Sequence, residues 1–271
     1  MQKIITKINY YGCGYCVNNL KLVFKKHKKD KRNFAAGVFL LKHKKYGYIL
    51  FDTGYSMDIY NCGIIGKLYN LFNPTFVKRE DIIDYKLKED NINLDEINYI
   101  ILSHLHPDHI GGLDKFKNAK IIISEKAYKS YLKPKIRELI IKKFIPDWFE
   151  DNLIILDDKK LNSSKTKYFD CYDLFEDKSI LITNMDGHAY GQICALVNND
   201  IFLGADTCWG EDLIKETDKM KFPATIIQND YKEYVSVSRK LQQMKKDNIK
   251  LLFSHDKYES KEVFWWIKVI Y

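Results

Sequence analysis

Three histidines and one aspartate fall within six consecutive positions of this chain, at His104, His106, Asp108 and His109. Only seven histidines occur in the 271 residues, and this cluster directly follows the apolar run at positions 97–102. Imidazole nitrogens and carboxylate oxygens are the usual protein ligands of zinc, iron and manganese. Because alternate side chains at a strand end point the same way, His104 and His106 can bind one ion from one side. Asp108 and His109 lie beyond the next turn and can serve a second ion, so the spacing predicts a metal site.

The alternative for any one of these residues is structural. A lone His-x-His pair is weak evidence, because isolated histidines are mostly surface residues or hydrogen-bonded core residues. Four ligand-type side chains at HxHxDH spacing, directly after a buried strand, favour metal binding. Further ligand-type residues stand in turns or at strand ends, at Asp52, His188, Asp206 and His255. Taken alone, Asp52-Thr53-Gly54 is an ordinary turn and His188 an ordinary loop residue.

Together, and in this order, these positions resemble the metallo-β-lactamase superfamily, and the match from Asp52 to His255 covers most of the chain. The resemblance implies an α/β protein with the four-layer αββα sandwich of that superfamily. It also implies the metal ligands, which are His104, His106 and His188 on one ion, Asp108, His109 and His255 on the other, and Asp206 bridging both. Asp52 would orient a ligand histidine. The implied cofactors are two Zn²⁺ ions per chain, with iron or manganese as alternatives that the same ligand set accepts.

The implied chemistry is hydrolysis. Two ions about 3.5–4 Å apart can share a water molecule and lower its pKa toward 7, so that a bridging hydroxide attacks the substrate. Asp108 would pass the proton to the leaving group and is the expected catalytic residue. His106 stands where the flavodiiron branch carries glutamate, and Asp206 where many β-lactamases carry cysteine. Both residues therefore favour another branch.

The chain is most similar to the N-acyl homoserine lactone lactonases, which predicts cleavage of a small ester or lactone with an apolar part. One position departs from that pattern, because the lactonases carry a tyrosine three residues after the bridging aspartate and this chain has Trp209. An indole N–H donates a hydrogen bond but does not replace the acid–base behaviour of a phenol. The alternatives are a thioester hydrolase of the glyoxalase II kind, a phosphodiesterase or nuclease, and a binding protein without activity.

The stretch 55–77 is rich in aromatic and aliphatic residues interrupted by glycine and proline, and it follows the Asp52 turn. It is expected either to cover a core edge or to form an apolar lid over the site. Tyr55 and Phe72 from this stretch, with Trp209, are the candidates for the substrate pocket.

Composition sets the remaining expectations. A hydrophobic content of 46% over 271 residues allows one domain spanning residues 1–271. The net charge of +8 suits a solvated surface better than a nucleic-acid partner, since the lysines are spread along the chain apart from a run at 25–32. No segment reaches the roughly 20 apolar residues of a membrane span, and a cytoplasmic location with six reduced cysteines is expected.

Two further points come from the cysteines and the chain pattern. Cys13 and Cys16 form a single CxxC, which favours a structural loop over a zinc knuckle or a redox motif. The sequence leaves the oligomeric state open. Apolar periodicity predicts strands at 34–41, 48–51, 94–102, 119–123, 168–175, 179–184, 193–197, 201–203 and 249–253, and helices at 79–91, 108–116, 125–143 and 230–246.

Overall fold

A computed structural model describes residues 3–27, 30–256, 258 and 267–270, with only the backbone described at 223 and 267–270. Residues 28 and 29 of the lysine run at 25–32 lie outside the described residues. The strands are β1 Ile5–Asn19, β2 Lys31–His43, β3 Gly47–Phe51, β4 Thr75–Phe76, β5 Ile97–Ile101, β6 Lys120–Ser124, β7 Leu153–Leu156, β8 Ser164–Lys165, β9 Asp170–Asp173, β10 Ile180–Asn184, β11 Ile193–Val197, β12 Ile201–Leu203, β13 Lys250–Leu252 and β14 Ile267–Ile270.

Short helices connect most of these strands. The α-helices are α1 Leu20–Val23, α2 Gly63–Phe72, α3 Ile83–Glu89, α4 Pro107–Ile110, α5 Glu125–Leu132, α6 Asp158–Leu161, α7 Phe222–Ile226 and α8 Tyr231–Lys246. Single turns and longer stretches of 3₁₀ helix occur at Met57–Tyr60, Arg79–Asp81, Leu94–Glu96, Leu113–Lys115, Ile136–Glu138, Lys142–Phe144, Glu150–Asn152 and Glu211–Lys219. Among the helices so described, none has the length and apolar character needed to cross a membrane.

The strands form two sheets. The first has the order β14-β1-β2-β3-β5-β6-β7, with β4 paired to β1, and the second has the order β13-β12-β11-β10-β9-β8. β3, β5, β6 and β7 are parallel neighbours, as are β12 and β13. Parallel strands end at the same edge of a sheet, so the segments that follow β3 and β5 are brought side by side.

The two sheets and the helices outside them form the four layers of the predicted αββα sandwich. Apolar side chains fill the three interfaces between these layers. Ile49, Ile101 and Phe39 of the first sheet pack against Ile182 and Val197 of the second, and all are buried. The outer face of the first sheet is covered by residues of α3, α4 and the segment 139–149, and that of the second sheet by α8. The αββα prediction is confirmed.

Helix α8 illustrates how the sequence specifies the outer layers. Tyr234, Val237, Leu241 and Met244 recur at helical spacing and are buried against the second sheet. Asp230 caps the helix, accepting hydrogen bonds from the backbone N–H groups of residues 232 and 233. The prediction of a helix over 230–246 is therefore correct to within its cap.

Three expectations differ from the structure. The CxxC of Cys13 and Cys16 lies within the long strand β1, not in a loop, and neither cysteine belongs to a group of potential metal ligands among the described residues. The expected helix at 108–116 breaks at Gly111, where an added Cβ would lie 2.5 Å from the backbone nitrogen of Ser56. The expected helical region 125–143 continues beyond α5 only as 3₁₀ turns, because Pro134 interrupts it and Leu139 adopts a positive φ.

Candidate metal centre

The seven predicted ligands all follow strands or open the short helix after β5. His104 and His106 come directly after β5, and α4 carries Asp108 and His109. The remaining ligands follow strands of the second sheet, with His188 after β10, Asp206 after β12 and His255 after β13. The centre therefore lies where the two sheets meet at one edge.

Backbone hydrogen bonds hold these loops together. The Thr53 N–H donates to the carbonyl of His109 at 2.8 Å, so the turn after β3 is fastened to α4. The Ile193 N–H donates to the carbonyl of Ser103 at 2.9 Å and ties the second sheet to the histidine loop. Gly187 precedes His188 with a positive φ of 132°, and an added Cβ there would lie 2.6 Å from the backbone nitrogen of Tyr234.

The first group of ligands consists of His104, His106 and His188, whose ligand atoms lie within 4.8 Å of one another. His106 presents Nδ1, which is 2.9 Å from His104 Nε2 and 3.1 Å from His188 Nε2. Three imidazole nitrogens at these separations suit one face of a tetrahedral metal site.

The second group consists of Asp108, His109, Asp206 and His255. His109 Nε2 and His255 Nε2 are each 3.6 Å from Asp108 Oδ2. Asp206 lies between the two groups, since its Oδ2 is 2.8 Å from His255 Nε2 and 3.3 Å from His188 Nε2. A carboxylate in that position can serve both ions, as the resemblance implies.

Polar groups behind the imidazoles fix their orientation. His109 donates from Nδ1 to Asp52 Oδ2 at 2.7 Å, which is the orienting role expected of Asp52. Ser103 donates its hydroxyl to Asp52 Oδ2 at 2.8 Å and therefore accepts from His104 Nδ1 at 2.9 Å. Two of the ligand histidines, His104 and His109, thus depend on one small network around Asp52 and Ser103.

The second sheet supplies two further orienting groups that the sequence did not reveal. His188 donates from Nδ1 to the side-chain oxygen of Gln228 at 2.9 Å, and His255 donates from Nδ1 to the backbone carbonyl of Ala35 at 2.6 Å. With Nδ1 bonded behind them, these imidazoles turn Nε2 toward the centre as a lone-pair donor.

The chemistry of the donor set fits bound cations. Within the described part of the chain, the buried atoms His109 Nε2 and Asp206 Oδ1 make no hydrogen bond, although they lie 3.3 Å apart. An unpartnered buried nitrogen and carboxylate oxygen, both facing the same small space, are costly unless something binds them. Two divalent cations would satisfy these atoms, and the two groups of ligands form a dinuclear metal-binding site.

The electrostatics of the centre lead to the same conclusion. Burial lowers the pKa of His104 and of His106 well below the usual value, with neighbouring histidines adding to the shift. Burial also acts to lower the pKa of His109, but Asp108, Asp52 and Asp206 together raise it well above the usual value. Without metal, protons on the imidazoles near the carboxylates would balance their charge, and a bound cation replaces those protons.

An open cleft reaches the ligands from solvent. Trp209 lines this cleft, as expected, together with Phe34, Leu139 and Ile227. Tyr55 is fully buried and lies behind the wall, and Phe72 is 72% exposed because it ends α2 on the solvent side. The expectation that Tyr55 and Phe72 face the substrate is thus corrected, and Tyr69, between them on α2, lines the cleft instead.

Cys16 is the other unexpected residue of the wall. Its thiol lines the cleft, and burial, followed by the charge of Asp108, raises its pKa to about 12. It therefore contributes a neutral, weakly polar surface to the cleft. The sequence predicts a loop at Cys16 and gives no sign that its side chain meets the site.

The comparisons with known proteins agree with this geometry. Residues 38–249 match the sequence profile of the metallo-beta-lactamase superfamily. The N-acyl homoserine lactonase AttM of Azorhizobium caulinodans is 26% identical over 166 residues, which cover 59% of this chain and 58% of that protein. The N-acyl homoserine lactonase of Bacillus thuringiensis is 36% identical over 108 residues, covering 37% and 40%. The chain thus matches somewhat over half the length of the first relative, and less of the second.

A solved structure shares the fold over nearly the whole length. It is an N-acyl homoserine lactone hydrolase with the product N-hexanoyl-L-homoserine at its catalytic metal centre, 22% identical, with a TM-score of 0.74 over 96% of this chain and 97% of that one. From the profile match over residues 38–249, the chain belongs to the metallo-beta-lactamase superfamily.

Proposed function

We propose that this protein is a dinuclear metal-dependent hydrolase that cleaves a small ester or lactone carrying an apolar part. The observation that carries the proposal is the convergence of two ligand groups on one another, with Asp206 within 3.3 Å of imidazole nitrogens from both groups. Paired cations held in this way serve hydrolysis in many enzymes.

The roles of the chain's own residues follow from their positions. Bound divalent cations would supply Lewis-acid chemistry, lowering the pKa of water and polarising a carbonyl oxygen. His104, His106 and His188 hold one cation, and the second group holds the other. Asp108 Oδ2 lies near His109 Nε2, another ligand of the second group, whereas Asp108 Oδ1 faces Tyr69 in the wall of the cleft. It is therefore the carboxylate suited to take a proton from water and deliver it to the leaving oxygen.

The substrate class follows from the wall of the cleft. Phe34, Leu139, Trp209 and Ile227 give it an apolar surface beside the ligands. An acyl group suits such a wall because burying apolar area is favourable by about 25 cal/mol per Å². Two similar proteins are named N-acyl homoserine lactonases, and a lactone with an N-acyl substituent is the substrate we propose.

Zinc is the proposed native metal, with iron or manganese as the alternatives, since imidazole and carboxylate ligands suit all three. A cytoplasmic location is part of the proposal, because all six cysteines of the chain are free thiols, as in a reducing compartment.

Metal analysis of the purified protein, beside a substrate panel, tests this function. The panel contains N-hexanoyl-homoserine lactone, a glutathione thioester, a γ-lactam, a phosphodiester and RNA. We expect about two metal ions per chain, with lactone hydrolysis exceeding every other activity. Faster cleavage of the thioester would favour the glyoxalase II kind of reaction. RNA binding that weakens steeply with salt would favour a nuclease.

The variant Asp108→Asn separates binding from chemistry. We expect it to retain part of the metal while turnover falls by about 10²–10⁴-fold, because the proton carrier is lost. Unchanged lactone turnover in this variant would contradict the role of Asp108. Full metal loading of the wild type with no turnover on the whole panel would contradict the hydrolase itself.

A further inference from the structure

Tyr69 brings a phenol to the metal centre from outside the family's ligand motifs. It lies in the middle of α2, is buried, and lines the cleft beside Asp108. Its hydroxyl is 3.4 Å from Asp108 Oδ1 and 2.7 Å from the hydroxyl of Tyr55. The other carboxylate oxygen, Asp108 Oδ2, faces His109 and His255.

The direction of these hydrogen bonds follows from the number of protons available. An ionised carboxylate only accepts hydrogen bonds, and a phenol has a single proton to donate. When Tyr69 bonds to Asp108 it must therefore be the donor, and Tyr55 must in turn donate to Tyr69. The result is a directed chain, Tyr55 to Tyr69 to Asp108, that points the Tyr69 proton toward the cleft side of Asp108.

The two bonds differ in length. The 2.7 Å bond from Tyr55 is short and fully buried, so it fixes the position of the Tyr69 oxygen. The 3.4 Å bond to Asp108 is long and correspondingly weak. A better acceptor that enters the cleft beside Asp108 can therefore accept the hydrogen bond from Tyr69 with little loss.

Aromatic rings line the cleft beside both ligand groups. Trp209 packs edge-on against Phe34, with ring centroids 6.0 Å apart, and against His188 of the first group at 6.3 Å. Phe34 also packs edge-on against His255 of the second group at 6.1 Å. Within this apolar lining, Tyr69 supplies a hydroxyl group beside Asp108.

We infer that Tyr69 is a catalytic residue of the hydrolysis proposed above, on which this inference rests, and that its hydroxyl donates a hydrogen bond to the leaving oxygen of the substrate. As the acyl–oxygen bond breaks, that oxygen gains negative charge and then receives its proton from Asp108. Tyr69 keeps its own proton throughout, and it lowers the barrier by a hydrogen bond that strengthens as the charge develops. Tyr55 is the positioning residue that directs the Tyr69 proton.

The test compares three hydroxyl deletions in the metal-loaded protein. Tyr69→Phe should lower kcat on N-hexanoyl-homoserine lactone by about 10²-fold with little change in KM, because the bond is stronger in the transition state. Tyr55→Phe should give a smaller loss of kcat, since it removes only the group that directs Tyr69. Tyr168→Phe is the matched control, because its hydroxyl also donates to a carboxylate, Asp247 at 3.0 Å, but outside the cleft. It should match the wild type.

Two readouts other than turnover separate catalysis from structure. Metal content should stay at the wild-type value in Tyr69→Phe, and the affinity for the ring-opened product N-hexanoyl-L-homoserine should fall about tenfold with the loss of one hydrogen bond. Loss of metal in Tyr69→Phe, in proportion to activity, would overturn the inference in favour of a structural role. Equal turnover of Tyr69→Phe and wild type would also overturn the inference, and it would leave the proposed function intact.

The proposed function can fail separately. If the wild type loads two metal ions and hydrolyses nothing in the panel, the hydrolase proposal is overturned. The catalytic role of Tyr69 is then overturned with it, whereas lactone turnover in the wild type, together with wild-type kcat and product affinity in Tyr69→Phe, overturns the inference alone.

Discussion

Two buried histidines in this protein each contact an aspartate, yet only one belongs to the metal centre. His109 is 2.7 Å from Asp52 and His43 is 2.9 Å from Asp177. Both imidazoles are at most 2% exposed. The carboxylate partner and the burial are therefore not what distinguishes a ligand from a structural residue.

The second nitrogen makes the difference. His43 Nδ1 accepts hydrogen bonds from the backbone N–H groups of Lys45 and Tyr46, at 3.0 and 3.2 Å, so both its nitrogens are used by the fold. His109 is held by Asp52 through Nδ1, whereas its Nε2 makes no hydrogen bond to the described residues and instead faces Asp206 Oδ1 at 3.3 Å and Asp108 Oδ2 at 3.6 Å. A buried nitrogen that the fold leaves without a hydrogen bond, beside two carboxylates, is suited to bind a cation.

The largest expected effect comes from removing each histidine in turn. His109→Gln should lose at least one of the two metal ions and lower lactone hydrolysis by about 10³-fold, because several kcal/mol of charge stabilisation disappear. His43→Gln should keep the wild-type metal content and activity, at a cost in stability of about 1–3 kcal/mol for unsatisfied buried groups. Metal analysis and urea unfolding check both, and metal loss in His43→Gln would remove the distinction drawn here.

Substitution of the aspartates beside these histidines, Asp52 and Asp177, should show the same contrast in metal binding with a smaller effect. Asp52→Asn keeps the volume but no longer holds Nδ1–H of His109 with a charged acceptor. We therefore expect metal affinity to fall by about 10–100-fold, as for other groups that orient ligands. Competition with a chelator measures the affinity.

Asp177→Asn is the control for that measurement. This substitution also replaces a charged acceptor by a neutral one, but beside His43, and it should leave the metal affinity unchanged. Equal affinities in wild type and Asp52→Asn would mean that Asp52 serves only the turn after β3.

The contrast also explains how far the sequence could predict this site. Ligand chemistry allows few residue types, so the HxHxDH spacing predicted a metal site, and the resemblance to the metallo-β-lactamase superfamily implied the other ligands and Asp52. Gln228 and the carbonyl of Ala35 act behind His188 and His255 from distant segments. A backbone carbonyl carries no side-chain signal, and a glutamine near α7 has no motif, so only the tertiary structure reveals them.

The residues that line the cleft were harder to predict than the metal ligands. The stretch 55–77 has the right composition for an apolar wall, but its glycines and proline interrupt any helical pattern, and α2 spans only Gly63–Phe72. Which face of α2 meets the cleft depends on packing, and this places Tyr69 inward and Phe72 outward. Strand β1 was missed as well, because its tyrosines and glycines interrupt a simple apolar alternation.

Removal of the Gln228 side chain should lower metal affinity less than the Asp52→Asn substitution does. Its amide oxygen is a neutral acceptor for His188, whereas Asp52 is a charged acceptor for His109, and charge-assisted hydrogen bonds are roughly twice as strong. Gln228→Ala should thus weaken metal binding by about tenfold, mainly at the first ligand group. Calorimetric titration that resolves the two ions checks this. A loss larger than that of Asp52→Asn would reverse the proposed order of the two supports.

The smallest expected effect is a pH dependence of the stability that the pair of His43 and Asp177 contributes to the fold. Burial acts to raise the pKa of Asp177, but hydrogen bonds from Ser179 and His43 lower it below the ordinary value of 3.8. A carboxyl group whose pKa is lower in the folded state stabilises the fold above about pH 4, and this contribution is lost as the pH falls through the folded value. Asp52 shifts the other way, because full burial outweighs the bonds from His109 and Ser103 and raises its pKa.

Asp177→Asn should therefore cost about 0.5–1 kcal/mol at pH 7, since the pair is partly exposed and screened. The difference from wild type should shrink below about pH 4, where the wild-type carboxyl group also becomes neutral. Urea unfolding of both proteins between pH 3 and pH 7 measures it, and metal release at low pH affects both equally. A difference that stayed constant down to pH 3 would show that shape, and not charge, makes Asp177 the partner of His43, in contrast to the charged partner of His109.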